Sequence, residues 1–237
     1  MKQKFTITLP FVLFLFTCSA QWSTNSAINN AICTVNGHQI VNSMIIDDLG
    51  GAFIAWADFR GGNTSDIYVQ HINANGLALW NVVVCNSSGS QGFANMISDG
   101  NKGVIITWAD QRSGNWDTYA QKVDSFGVPQ WTANGVLICN AMYDQFMPTI
   151  VQSSLGSAII SWGDYRNGDV NIYAQKINSL GVSQWTANGI LICDAIGQSY
   201  PEMIPDESGG SILTWRDFRN GNYDIFTQKI NCHQQRT

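Results

Sequence analysis

Residues 56–70 read WADFRGGNTSDIYVQ, and the cluster that opens them is written four times. WADFR at 56–60 returns as WADQR at 108–112, WGDYR at 162–166 and WRDFR at 215–219, so the tryptophan recurs after 52, 54 and 53 residues. Self-similarity at such a period is the mark of a repeat architecture. Behind each cluster come a glycine (Gly62, Gly114, Gly168, Gly221), then Asp66, Asp117, Asn171 or Asp224, an aromatic ring and a glutamine. Another glutamine, at Gln39, Gln91, Gln145 and Gln198, precedes each tryptophan by seventeen residues. A second series, Trp22, Trp80, Trp131 and Trp185, runs ahead of Cys33, Cys85, Cys139 and Cys193.

Within one unit the signals are those of strands. GVIITWAD and SAIISWGD are short, rich in β-branched residues and apolar on both sides of the alternation, as a strand covered on two faces requires. RNGD at 166–169 and RNGN at 219–222 have the Asn-Gly pair of a tight hairpin. Four strands per unit of about fifty residues is the measure of a propeller blade. The expected fold is therefore an all-β propeller of four blades, each of four antiparallel strands. The last unit lacks an outer strand while WSTNSAINNAIC at 22–33 is a spare one, so pairing the two would close the ring. A partial arc of a larger propeller is the alternative.

Residues 1–20 carry Lys2 and Lys4, the apolar stretch PFVLFLF and small residues ending in Ala20, the pattern of a secretory signal peptide. Residues 21–237 then form one domain of four repeats, exported to the extracellular space, the periplasm or the outer surface; a lipid anchor on Cys18 is the lesser alternative. No later stretch has the length of apolar sequence that a membrane-spanning helix needs. Loss of Lys2 and Lys4 takes the formal charge from −5 to −7, which excludes the basic footprint of a nucleic-acid binder. The cysteines sit one blade apart, too far for a disulfide, and read as small buried residues; Cys232 is no better placed to pair with Cys33. His71 stands where other units have lysine and reads as a surface residue. Asp47, Asp48 and Asp99 read as turn caps. No metal-binding motif is present, and neither a metal nor a cofactor is expected.

The WxDxR…DIYxQ…G…W unit resembles the propeller repeats of secreted bacterial proteins that often carry C-terminal sorting domains, and is distantly similar to sialidase-type propellers. VDSFGVPQW at 123–131 is a loose echo of the Asp box of that second class, with one residue too many before Trp131. The resemblance covers nearly all of residues 22–231 and speaks to fold rather than activity.

Trp56, Asp58 and Arg60, with Trp108, Asp110 and Arg112, Trp162, Asp164 and Arg166, and Trp215, Asp217 and Arg219, alternate along their strands and share a face. Four near-identical copies point to scaffold, because an active site is a single asymmetric constellation. Recognition should lie where the units differ, on the loops joining outer to inner strands. Tyr143, Asp144, Phe146, Tyr200 and Glu202 are the candidate ligand-binding residues, aromatic faces beside carboxylates that suit a sugar. No residue is nominated as catalytic. The expected function is a secreted, non-enzymatic propeller that recognises a glycan or another cell-surface polymer through its loop face, with a glycan or a cell-surface protein as partner and oligomeric state open. A sialidase-like glycoside hydrolase and a purely structural module of a surface assembly are the alternatives.

Overall fold

The computed structural model describes residues 22–23, 25–195 and 197–231; the expected signal sequence, Cys18 and Cys232 lie outside them. Four antiparallel sheets follow one another along the chain, and no helix occurs among the described residues. The first sheet contains β1 (Gln39–Ile46), β2 (Ala52–Asp58), β3 (Asp66–Ile72) and β4 (Ala78–Cys85). The second contains β5 (Gln91–Ser98), β6 (Val104–Asp110), β7 (Asp117–Val123) and β8 (Val136–Cys139). The third contains β9 (Gln145–Ser154), β10 (Ser157–Asp164), β11 (Asn171–Ile177) and β12 (Ile190–Cys193). The fourth has three strands, β13 (Ser199–Pro205), β14 (Ser211–Asp217) and β15 (Asp224–Ile230). Each sheet is a meander, as the short hairpin turns demand. The inner strands β1, β5, β9 and β13 lie side by side in that order, so the sheets radiate as propeller blades.

The interior lies between blades. Every residue of β6 and β10 is buried, which is why these strands are apolar on both faces. One cluster joins the first two blades through Phe53, Val69, Met96 and Trp108; a second joins blades two and three through Ile105, Ile160 and Trp162; a third joins blades three and four through Ile159, Leu213 and Trp215. Each fully buried aliphatic side chain contributes about 1.5–3 kcal/mol.

The ends of the series differ from its middle. Residues 22–38 hold no strand among those described; the segment makes local turns in which Ala27 N–H donates to Asn25 Oδ1 and Ile28 N–H to the Asn25 carbonyl. Its Asn and Ser side chains offer the backbone these alternatives to a ladder. The segment lies on the first blade, where Ile32 and Cys33 pack on Trp56 and Tyr68, and no pairing with β15 is seen among the described residues. Ile225 in β15 is therefore 77 % exposed where its equivalents Ile67 and Ile172 are at 0 %. At the other end Met44 is 67 % exposed against 2 % for Met96.

Each inner strand breaks its ladder near its start. The register with the middle strand shifts between Val41 and Ser43, Gly92 and Asn95, Phe146 and Thr149, and Ser199 and Glu202. These are β-bulges, and Phe93, Met147 and Tyr200 take φ of 55°, 50° and 57° within three of them. Pro148 and Pro201 fall in the same gap, where no ladder donor is required of them.

Candidate functional site

The four WxDxR motifs form four closed units. In the second blade Asp110 is fully buried, Trp108 Nε1 donates to its Oδ2 at 2.9 Å, Arg112 Nε donates to Oδ1 at 2.9 Å, and the Arg112 backbone N–H adds a third bond at 3.0 Å. The Arg112 guanidinium lies 3.8 Å from the centre of the Tyr119 ring and reaches Cys85 Sγ and the Asn134 carbonyl. Arg60, Arg166 and Arg219 bind Asp58, Asp164 and Asp217 in the same bidentate manner. Burial pushes the Asp58 carboxyl up, but bonds from Arg60 and Trp56 outweigh it and bring the pKa to about 2. Cys85 and Cys139 are buried thiols whose pKa burial pushes up to about 12, which removes them as nucleophiles at neutral pH. These carboxylates and guanidinia are saturated by their own scaffold.

His71 is not at the surface as its sequence position suggested. It is buried against Phe53, ring centres 4.1 Å apart, and its Nε2 meets Asp47 Oδ2 at 2.9 Å. Asp47 Oδ1 accepts the backbone N–H of Leu49 and Gly51, so one carboxylate caps the turn and holds the histidine. Lys122 with Asp99 and Lys229 with Asp206 make the equivalent pairs in blades two and four.

The five candidate ligand residues fall into two places. Tyr143 and Asp144 line a rim depression with Tyr165, whose ring stacks on Phe146 at 5.3 Å. Asp144 is tied into the frame there, its Oδ1 accepting the Trp116 backbone N–H at 3.0 Å. Tyr200 and Glu202 instead line the mouth of the central channel, a cavity of about 320 Å³ walled by the bulges of all four inner strands. Asn42, Asn95 and Thr149 face the same cavity, and Asn42 Oδ1 is buried without a hydrogen-bond partner. A second cavity of about 430 Å³ opens beside it, lined by Tyr200, Glu202, Thr214 and Arg216. Asn42, Phe93 and Arg216 escaped the sequence reading; the signal for Arg216 was its replacement of Ala57, Ala109 and Gly163 at one repeat position. Among the described residues no group of three His, Cys, Asp or Glu side chains is arranged to hold a metal ion.

No protein-family model and no curated protein matches the sequence. Solved structures do resemble it. An endo-arabinase from Bacteroides thetaiotaomicron VPI-5482 aligns with 79 % of this chain and 74 % of its own at 14 % identity, with a TM-score of 0.46. An endo-1,4-beta-xylanase from the same organism aligns with 81 % of this chain and 70 % of its own at 8 % identity, TM-score 0.47. An N-acetylgalactosamine deacetylase from F. plautii, in complex with blood group B trisaccharide, aligns with 83 % of this chain and 66 % of its own at 10 % identity, TM-score 0.48. Likeness at this level describes architecture. The expectation of a non-enzymatic module stands corrected only to this extent: the solved structures that resemble the chain are enzymes by name. The physical reason is plain: repetition identifies the WxDxR groups as frame, but says nothing about chemistry at the lip positions where the blades differ.

Proposed function

We propose that the protein processes a glycan held across the channel mouth, with Glu202 exchanging a proton with the glycosidic oxygen. The observation that carries this reading is the asymmetry of the lip. At one repeat position the four blades carry Ser43, Asn95, Thr149 and Glu202, and the last three line the mouth, so a single carboxylate stands there beside neutral groups. Asn42 and Asn95 line the same mouth and place amide side chains beside that carboxylate. The Tyr200 ring supplies an apolar face against which a pyranose can lie. Glu202 is the one carboxylate lining the mouth, so water would attack without the second carboxylate that paired mechanisms use, and slow turnover is expected. The signal sequence would deliver this activity outside the cytoplasm, where polymeric glycans are met.

The test is a panel of fluorogenic glycosides and plant or host oligosaccharides. Wild-type protein should release product from at least one member, and Glu202→Gln should lower kcat by about 10²–10⁴-fold with an unchanged melting temperature. Absence of turnover across the panel would overturn the reading.

A further inference from the structure

Arg216 is the one arginine among the described residues that makes no ion pair; Arg60, Arg112, Arg166 and Arg219 are each bound to an aspartate. It also breaks the repeat, standing where the other blades have Ala57, Ala109 and Gly163. Ala57 and Ala109 are buried, and in the third blade the position is confined by its own inner strand: a Cβ added at Gly163 would come within 3.1 Å of Phe146, its partner in β9. In the fourth blade the small Ser199 of β13 stands where the third has Phe146, and the long cationic side chain of Arg216 fits.

The guanidinium is held in place. Its Cζ lies 4.3 Å from the centre of the Tyr200 ring and 4.4 Å from that of Tyr223, and its Nε donates to Ser199 Oγ at 2.8 Å. Two aromatic contacts and one hydrogen bond restrict the side chain, while its terminal nitrogens have no partner among the described residues. The group lines the second cavity together with Glu202, and Tyr200 and Glu202 are shared with the channel mouth. A fixed, planar, unneutralised guanidinium presents its donors to a carboxylate as a fork.

We infer that this second cavity is a subsite for an acidic sugar, a uronic acid residue whose carboxylate pairs with Arg216 while the next sugar of the chain reaches Glu202. The inference rests on the glycan site proposed above and adds the substrate class. Only the second cavity contains Arg216, while Glu202 borders both, so a uronate carboxylate is drawn to the Arg216 side of that cavity and its neighbour in the chain is turned toward Glu202 and the mouth. Tyr200, shared by both cavities, forms the floor between the two sugars.

Calorimetric titration of the full chain with trigalacturonate and with neutral galactotriose, at low and moderate salt, tests this. The acidic trisaccharide should bind at least about tenfold tighter, a difference that corresponds to about 1.4 kcal/mol, and added salt should erode the preference. Arg216→Ala should abolish the preference, and Arg216→Lys, which keeps the charge but not the fork, should retain part of it. Equal binding of both sugars, no binding of either, or a preference that survives in Arg216→Ala overturns the subsite. Turnover by wild type and Glu202→Gln is read separately. Loss of the acidic preference with turnover intact sinks the subsite alone, whereas an Arg216-dependent preference without turnover upholds the subsite and sinks the enzymatic reading.

Discussion

Trp80 donates its indole N–H to the carbonyl of Ser125, 45 residues further along the chain, at 3.0 Å. Trp22 does the same to Ala74 at 3.0 Å and Trp131 to Ser179 at 3.2 Å. Each bond runs from the segment preceding one blade's cysteine to the turn between the third strand of the following blade and the segment behind it, so the second tryptophan series is a row of pegs between neighbours. The pegs also shape the turns they enter: a Cβ on Gly127 would sit 2.8 Å from the Trp80 ring, at a φ of 80°. Trp80→Phe, which replaces the indole with a smaller ring and loses the donor, should cost at least about 1 kcal/mol. Gly127→Ala meets both the steric conflict and the left-handed backbone and should cost more. Urea unfolding monitored by tryptophan fluorescence measures both.

Asp164 accepts the Trp162 indole N–H, the Arg166 Nε and the Arg166 backbone N–H, all within 2.9 Å. Asp164→Ala strips the partner from a largely buried guanidinium and should lower stability by about 3–5 kcal/mol, the cost of breaking such a pair from one side. A thermal melt that overlays the wild type would remove the motif from the frame.

Acid should unfold the protein over a defined window. Asp58 has a native pKa of about 2, and Asp110 and Asp217 are also held below the ordinary carboxylate value. In Asp217 the Arg219 bonds lead; in Asp110 burial is the largest influence and acts upward, but Arg112 and Trp108 overcome it. A carboxyl depressed on folding stabilises the native state above its unfolded pKa of about 3.9 and ceases to do so as pH falls through the native value. Burial raises Asp66 and Asp117, which take up protons first and act with the opposite sign. Stability should thus rise slightly as pH drops from neutrality and then decline between about pH 4 and pH 2. A flat profile over that range would contradict the assignment.

Ile225 and Ile172 occupy one repeat position, the first 77 % exposed and the second buried. Ile225→Lys should change stability by less than about 0.5 kcal/mol, as surface substitutions do. Ile172→Lys places an unpaired ammonium between blades and should prevent folding. Comparable damage from both would mean that β15 is covered in solution.

Much of this arrangement could be read from residue order. The recurrence of WxDxR located the blades, and the alternation within SAIISWGD gave a middle strand, because both depend on local periodicity and on burial from two sides. What escaped was long-range. Trp22 and Cys33 copy the anchors of an outer strand and reach the first blade as such anchors should, yet between them Asn25 and Ser23 satisfy the backbone locally. His71 looked like a surface residue because its equivalents are lysines; a lysine can keep its head in water while its stem is covered, whereas an imidazole stacked on Phe53 is buried with its ring. Arg216 was hidden by the motif itself, since WRDFR reads as one more copy of a scaffold element although its second residue is the departure.

The bulges at the channel mouth decouple two demands on the chain. Phe93, Met147, Tyr200 and the prolines beside the last two stand in gaps of the backbone ladder, so exchanging their side chains leaves interstrand bonding intact. The lining of the mouth can therefore drift while the frame is inherited unchanged, and closely related chains could share every blade yet present different lips.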